Sequence, residues 1–146
     1  MNDSELIRQT ALDTLQIELQ AITGLLDFVD VSFCQCIQII HAGKGRLIIS
    51  GIGKSAIIAQ KIVATLNSTG TPSLFLHAAD AIHGDLGMVQ PDDIVMLISK
   101  SGESPEIKVL VPLIRNFGNI LIALCGNAQS FLAQEAQYFI NCSTLL

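Results

Sequence analysis

The sequence predicts an α/β fold in which a parallel β-sheet carries helices on both faces and N-terminal helices precede the sheet. Two observations support this fold class. Short apolar runs alternate along the chain with amphipathic patterns of helical period, which is the order expected for a parallel sheet. In addition, these runs are continuously apolar and do not alternate with polar residues, which is typical of strands buried on both faces.

The N-terminal residues predict helices. Apolar residues recur at alternating spacings of three and four from Leu12 to Val29, which predicts a long amphipathic helix. The same pattern resumes from Phe33 to Ile40, after a break near Asp30. The narrow apolar stripe suits packing on the chain's own sheet or against another subunit.

Five strands follow, each separated from the next by a helical pattern. The predicted strands cover residues 46–50, 73–76, 94–99, 120–125 and 138–142. One predicted helix begins at about residue 55, and three further helices cover residues 78–83, 105–117 and 127–136. Ligands of open parallel sheets bind beyond the carboxyl ends of the strands. We therefore expect the functional edge at the loops that follow Ser50, Leu76, Ser99 and Cys125.

The length and composition suit a single domain, residues 1–146, with N-terminal helices over 1–43 and the sheet with its flanking helices over 44–146. Half of the residues are hydrophobic and 14% are charged, which suits strands covered on both faces or an oligomer with further surface hidden at an interface. The net charge of −5, without a long run of Lys and Arg, argues against nucleic acid as a partner.

The sequence indicates neither a membrane protein nor a secreted one. No apolar run reaches the ~18–20 residues that a membrane span requires. The N-terminus, MNDSELIRQT, lacks the basic start and apolar block of a signal peptide. We therefore expect a cytoplasmic protein in which the four cysteines are reduced thiols.

The loop after the first strand, GIGKSA, predicts contact with a phosphate. It is too short for the P-loop of an ordinary ATPase, because the position five residues before Gly53 lies inside the strand. It matches the dinucleotide pattern G-x-G-x-x-A, but no acid ends the second strand to hold a ribose, so an NAD-dependent enzyme is a minor alternative. Lys54 adds a cation where the helix N-terminus is already positive, which favours an anionic ligand.

The loop after the third strand, SKSGES, strengthens the phosphate hypothesis. Ser104 fits an N-cap, with Pro105 at the favoured first helical position. A cap needs only one serine, whereas Ser99 and Ser101 supply two further hydroxyls. Hydroxyls and free backbone N–H groups at a helix N-terminus form a ready phosphate site. The sequence therefore predicts a second phosphate-binding turn at the same edge.

Taken together, GxGKS, STGTPS, HGDLGM and SxSGES resemble the sugar isomerase (SIS) domain, and more closely the arabinose-5-phosphate isomerase family. The resemblance extends from the N-terminal helices to about Cys142. It implies a three-layer α-β-α sandwich with a five-stranded parallel sheet, in a homo-oligomer (dimer or tetramer) whose sites are shared between subunits. It also implies reversible conversion of D-ribulose 5-phosphate to D-arabinose 5-phosphate, the first step toward Kdo in lipopolysaccharide and some capsules.

The resemblance further implies residue roles. Lys54, His83 and Glu106 would be the catalytic groups around the reacting end of the sugar. The substrate and its phosphate would be bound by Gly51, Gly53, Ser55, Ser99, Ser101, Gly102 and Ser104. Family members continue after the fifth strand with a segment EACPxxLAPTxST, a long helix and often CBS domains. This chain ends in STLL, so we expect a fragment or a truncated form.

The implied isomerisation moves a proton between C1 and C2 through an enediol. It needs a carboxylate or other base, a group that stabilises the oxyanion and a grip on the phosphate, but no metal or redox cofactor. Glu106 fits proton transfer, and its alternative is an acid that favours the helix dipole, a role that Glu103 could also fill. His83 fits ring opening or proton shuttling, and its alternative is a structural histidine bonded to Asp85. Lys54 fits polarisation of the carbonyl group.

Two further hypotheses are weighed against this one. SIS domains also serve regulators, so a phosphosugar sensor without catalysis is the first alternative, although no DNA-binding segment is visible in the sequence. The second is a divalent metal site formed by His77, His83 and Asp85. A six-residue spacing across a loop is not a recognised ligand pattern, so we do not expect a metal.

Overall fold

The computed structural model describes residues 2–144, and in that range it confirms the predicted fold class. The strands are β1 (Leu47–Gly51), β2 (Ser73–His77), β3 (Ile94–Ser99), β4 (Ile120–Cys125) and β5 (Tyr138–Asn141). The α-helices are α1 (Asp3–Gly24), α2 (Val31–Ala42), α3 (Lys54–Ser68), α4 (Ala78–Ile82), α5 (Pro105–Phe117) and α6 (Phe131–Glu135). Two short 3₁₀ turns lie at Leu25–Phe28 and Asp85–Met88.

The five strands form one parallel sheet in the order β2-β1-β3-β4-β5. The chain moves from β1 to β2 on one side and then returns to place β3 on the other side of β1. The connections on either side of β1 therefore leave in opposite directions. This makes the carboxyl edge between β1 and β3 the topological switch point, where sheets of this order bind their ligands.

Two apolar cores lie on the two faces of the sheet. On one face, Ile48 and Leu97 pack beneath α4, α5 and α6. On the other face, Ile49 and Met96 pack beneath α2 and α3. Successive residues of a strand point to opposite faces, and both faces are covered here. This burial on both sides is the physical reason for the continuous apolar runs in the sequence.

The helix α1 exposes its apolar residues. None of its 22 residues is buried, and Leu15 and Ile22 are 62% and 65% exposed. It ends before the position that the sequence predicts, and the 3₁₀ turn follows it. Asp30 then caps α2, because its Oδ1 accepts a hydrogen bond from the N–H of Phe33 at 3.0 Å. The predicted break near Asp30 is thus a helix start, and α1 does not pack on the sheet within the described residues.

Considered one at a time, none of the helices in residues 2–144 combines the length and the apolar character that crossing a membrane requires. The segments Asp3–Phe28 and Val31–Ala42, bent by 78°, meet that criterion of length and composition only when taken as a pair.

The helix α2 covers β5, which is an edge strand within the described residues. Cys36 of α2 is fully buried, and burial raises the pKa of its thiol. The Oγ of Ser32 donates a hydrogen bond to the backbone oxygen of Phe139 at 2.6 Å. This bond occupies a carbonyl on the outer side of the sheet.

The starts of β1 and β3 are joined by Arg46 and Asp93. The carboxylate of Asp93 is 3% exposed and accepts from the Arg46 guanidinium at 2.6 and 3.2 Å and from the Arg46 N–H at 2.8 Å. It also accepts from the N–H of Gln90 at 2.8 Å. Burial alone would raise the pKa of Asp93, but these hydrogen bonds outweigh burial and hold that pKa below its ordinary value. The pair stabilises the edge opposite the switch point.

The segment after β4 differs from the sequence-based prediction. The sequence predicts a helix over 127–136, but α6 begins only at Phe131. Asn127 forms a turn instead, with its Oδ1 accepting from the N–H of Gln129 at 2.9 Å. Ser130 then caps α6, because its Oγ accepts from the N–H of Ala133 at 3.3 Å. Side chains of Asn and Ser compete with helical hydrogen bonds in this way, and they shorten the helix.

Candidate functional site

The carboxyl ends of β1, β2 and β3 bring the predicted loops to one edge. Gly51 pairs with His77 across β1 and β2, and Ser50 pairs with Leu97 across β1 and β3. Ser99 therefore ends β3 beside the loop that follows β1. Because neighbouring strands lie ~4.8 Å apart, the loops after β1 and β3 are adjacent. The helices that follow these loops, α3 and α5, begin at the same edge.

The glycine turn (residues 51–54) leads from β1 into α3 with little room for side chains. A Cβ on Gly51 would lie 3.1 Å from the carbonyl carbon of Ser55 and 3.2 Å from the backbone oxygen of Ile98. Gly53 has φ 58° and ψ −129°, which glycine adopts without steric cost. No side chain caps the N-terminus of α3. Its first N–H groups therefore carry partial positive charge that a ligand can meet.

Three hydroxyls maintain the shape of the serine turn (residues 99–104). Their Oγ atoms accept hydrogen bonds from backbone N–H groups, Ser99 from Gly102 at 3.1 Å, Ser101 from Glu103 at 3.2 Å and Ser104 from Ile107 at 3.4 Å. Each hydroxyl accepts from the backbone, so its own O–H remains a donor. Ser104 is the N-cap of α5 and Pro105 is the first residue of that helix, as the sequence predicts. The turn therefore offers hydroxyl donors at a helix N-terminus, which suits an anion.

The three proposed catalytic residues lie on or directly after helices that begin at this edge. Lys54 is the first residue of α3, His83 follows the last residue of α4, and Glu106 lies in the first turn of α5. Lys54 and His83 are exposed, and Glu106 is half-buried. Among residues 2–144, no ion pair involves any of these three side chains, so His83 is not paired with Asp85. The three groups are therefore available to a ligand.

Glu103, the acid within the serine turn, has two partners of its own. Its Oε2 lies 2.8 Å from the Nζ of Lys108, and its Oε1 accepts from the N–H of Phe131 at 2.6 Å. The Lys108 ammonium and then the Phe131 N–H lower the pKa of Glu103. Both oxygens are occupied by protein groups. Within residues 2–144, Glu103 is thus held by protein groups, whereas Glu106 takes part in no ion pair and no side-chain hydrogen bond.

His77 belongs to the same edge, although the sequence reasoning considered it only as a metal ligand. Its Nδ1 accepts from the N–H of Ala79 at 3.3 Å, which places the ring proton of the neutral imidazole on Nε2. The ring lies edge-on to Phe75, with 6.2 Å between the centroids. The predicted strand stops at Leu76, whereas β2 includes His77 and pairs it with Gly51. His77 therefore ends β2 at the functional edge that the sequence predicts after Leu76.

The alternative metal site is not formed in the part of the chain that the structure describes. No group of three or more His, Cys, Asp or Glu side chains is arranged to hold a metal ion between residues 2 and 144. His77 instead uses its Nδ1 to accept a backbone hydrogen bond at the start of α4.

Comparison with known proteins gives matches that bear on this site. The SIS domain profile matches residues 39–144, which include the glycine turn, the serine turn and the three proposed catalytic residues. The "Probable arabinose 5-phosphate isomerase" of Haemophilus influenzae is 50% identical over 131 residues, which cover 90% of this chain and 39% of that protein. The arabinose 5-phosphate isomerase KdsD of Pseudomonas aeruginosa is 43% identical over 134 residues, which cover 92% of this chain and 41% of that protein.

This chain spans about two fifths of the length of these curated relatives. Among solved structures, that of Escherichia coli CFT073 c3406 in complex with arabinose 5-phosphate matches with a TM-score of 0.92 at 39% identity. The match covers 99% of this chain and 76% of that chain. The similarity therefore extends over nearly the whole of this chain, including both turns.

Proposed function

The chain belongs to the SIS domain family, and on this basis we propose that it binds a phosphosugar and takes part in the interconversion of D-ribulose 5-phosphate and D-arabinose 5-phosphate. The resemblance inferred from the sequence is confirmed at the level of the family. The observation that carries the proposal is the adjacency of two phosphate-type turns, the glycine turn and the serine turn, at the switch point of the sheet.

The phosphate would be held by local groups. The chain has a net charge of −5, so its overall field does not attract an anion. The uncapped N-terminus of α3, the hydroxyl donors of the serine turn and the Ser55 hydroxyl supply the attraction instead. Charge-assisted hydrogen bonds of this kind are stronger than those between neutral groups.

The isomerisation breaks a C–H bond at one of two neighbouring carbons and forms one at the other, through an enediol. Glu106 accepts the carbon-bound proton and returns it to the adjacent carbon. Lys54 stabilises the negative charge that develops on the carbonyl oxygen, and His83 moves the hydroxyl proton or assists ring opening. A positioned base of this kind contributes about 10²–10⁴-fold to the rate. C1 of the ketose is oxidised as C2 is reduced, so the step needs no external oxidant or reductant.

The direct test is proton exchange with solvent. The purified chain is incubated with D-ribulose 5-phosphate in D₂O, and deuterium at C1 of the ketose and at C2 of the aldose is followed by NMR. We expect exchange at these carbons alone. Binding without exchange would assign the chain to the non-catalytic phosphosugar binders, and absence of both binding and exchange would contradict the proposal.

We further propose that the chain forms a homo-oligomer, a dimer or a tetramer, with α1 in the interface. An isolated helix is marginal in water and is normally stabilised by packing of an apolar face. Leu12, Leu15 and Leu19 of α1 are 46–62% exposed, and no part of residues 2–144 covers them. Light scattering tests this proposal, because the Leu15→Glu variant should form particles of lower mass in solution than the unaltered chain. An unchanged mass would argue against α1 as the interface.

The cellular setting belongs to the same proposal. The four cysteines are free thiols, which suits a reducing compartment such as the cytoplasm. The arabinose 5-phosphate formed there would enter synthesis of Kdo for lipopolysaccharide or capsule.

A further inference from the structure

The serine turn is held from behind by residues 126–132, the loop after β4 with the first residues of α6, which we call the bracing segment. The N–H of Gly126 donates to the backbone oxygen of Lys100 at 3.0 Å, and the N–H of Leu132 donates to that of Gly102 at 3.1 Å. Two backbone oxygens of the turn are thus fixed by a segment that has no proposed contact with substrate.

A steric contact completes this arrangement. Gly102 is buried and has φ 67°, and a Cβ placed on it would lie 2.1 Å from the Oγ of Ser130. Ser130 itself is fully buried and accepts from the N–H of Ala133 at 3.3 Å. The bracing segment therefore lies directly against the centre of the serine turn. Neither chain segment can shift without breaking hydrogen bonds of the other.

Glu103 is the only side chain of the serine turn, in the described structure, that reaches the bracing segment by a hydrogen bond. Its Oε1 accepts from the N–H of Phe131, the first residue of α6. This N–H has no acceptor within the helix, because it belongs to the first turn. Its Oε2 is held by Lys108, one turn into α5. A single carboxylate thus connects the start of α5, the turn and the start of α6.

We propose that Glu103 is a positioning residue, which holds the serine turn in the geometry that receives the phosphate by binding the first N–H of α6. The inference rests on the proposed function, since it assumes that the serine turn binds phosphate. Glu103 makes no direct contact with the sugar. It acts through the orientation of Ser101 and Ser104, whose N–H partners lie at Glu103 itself and in α5.

The test compares four variants of the chain. Glu103→Ala removes both bonds of the carboxylate. Glu103→Gln keeps an oxygen for the N–H of Phe131 but loses the charge, and Lys108→Met removes only the ion pair. Glu135→Ala is the matched control, because Glu135 is a half-buried acid of α6 that pairs with Arg115 and does not touch the serine turn. Affinities for arabinose 5-phosphate, inorganic phosphate and neutral arabinose are measured by NMR titration, together with the amide resonances of residues 99–104.

We expect Glu103→Ala to weaken binding of both phosphate-containing ligands about tenfold, the value of one lost charge-assisted hydrogen bond. Binding of neutral arabinose should not change. Glu103→Gln should restore most of the affinity, because the acceptor for Phe131 is retained. The amide resonances of the serine turn should shift in Glu103→Ala, while those of the sheet stay in place.

Two results would overturn the inference. One is unaltered phosphate affinity in Glu103→Ala, and the other is an equal loss in Glu135→Ala, which would indicate general destabilisation of α6. If the unaltered chain binds neither phosphate nor phosphosugar, the proposed function fails. The amide resonances then still report whether Glu103 holds the turn, so the two failures can be told apart.

Discussion

A Cβ on Gly102 would lie 2.1 Å from the Oγ of Ser130, so the side chain of Ser130 leaves no room for a side chain at position 102. Gly102 lies in the serine turn and Ser130 caps α6, and 28 residues separate their positions in the sequence. The shape of the proposed phosphate turn therefore depends on the small size of one residue and on the fixed position of the other.

The Gly102→Ala variant should lose stability for two separable reasons. The positive φ alone costs about 1–2 kcal/mol for a residue with a Cβ. The contact with Ser130 adds a further loss, which Ser130→Gly in the same chain should relieve. Urea unfolding followed by far-UV circular dichroism measures both. Because Ser130→Gly also removes the cap of α6, it is measured alone as well; if Gly102→Ala costs as much stability in the Ser130→Gly background as in the unaltered chain, the contact with Ser130 does not matter energetically.

The serines of the turn should contribute to phosphate binding. We expect Ser101→Ala to weaken binding of arabinose 5-phosphate about tenfold, because a hydrogen bond to a charged group is lost. Binding of neutral arabinose should be unaffected. Ser68→Ala is the control, since Ser68 lies at the far end of α3 and donates to the backbone oxygen of Thr65 at 2.8 Å. Equal affinities in Ser101→Ala and Ser68→Ala would place the phosphate elsewhere.

Glu106→Gln should slow proton transfer strongly while binding persists. We expect the rate of solvent exchange at C1 and C2 to fall by about 10²–10⁴, since an amide cannot accept the proton. The affinity for arabinose 5-phosphate should change little, because the phosphate contacts remain. Glu135→Gln, in an acid of α6 outside the site, serves as the control for loss of charge. An exchange rate that is equal in the two variants would remove Glu106 from the mechanism.

Asp93 should make folding stability depend on pH at the edge opposite the site. Its pKa is lowered in the folded state, so its stabilisation is present above the ordinary value of about 3.9 and is lost as pH falls through the lowered value. Asp93→Asn should reduce the free energy of unfolding at pH 7 by about 2–4 kcal/mol, because Arg46 and the N–H of Gln90 lose a charged acceptor.

Urea unfolding curves of the unaltered chain and of Asp93→Asn, recorded at pH 7 and pH 3, test the sign of this pH dependence. The difference between the unaltered chain and Asp93→Asn should shrink at pH 3, because Asp93 of the unfolded chain is mostly protonated there. Asp92→Asn is the matched control, because the neighbouring Asp92 is exposed. A difference between the chains that is constant over this range would show that the charge of Asp93 is not responsible.

Much of the fold can be predicted from local pattern. The predicted strands at 94–99 and 120–125 coincide with β3 and β4, because an apolar run ends where side chains leave the buried sheet. The Ser104–Pro105 start of α5 is equally local, since a cap and a proline act within one turn. Both turns of the candidate site were identifiable for the same reason.

Contacts between distant residues could not be predicted in this way. Glu103 and Phe131 lie 28 residues apart, and nothing in either local pattern indicates their hydrogen bond. The sequence predicts proton transfer by Glu106, with the helix dipole as its alternative role, but it gives no sign that Glu103 is held by α6. The order of the strands, which brings the loops after β1 and β3 together, also depends on tertiary packing.

The hydrogen bond from Ser32 to Phe139 helps to protect the edge strand β5 against aggregation. An uncovered outermost strand presents free peptide groups to which strands of other molecules can add, which leads to aggregation. With α2 seated against β5, one of these groups is already engaged and the approach of a further strand is obstructed. A chain shortened from its N-terminus past α2 would therefore expose β5 to strands of other molecules and become prone to aggregation through that edge.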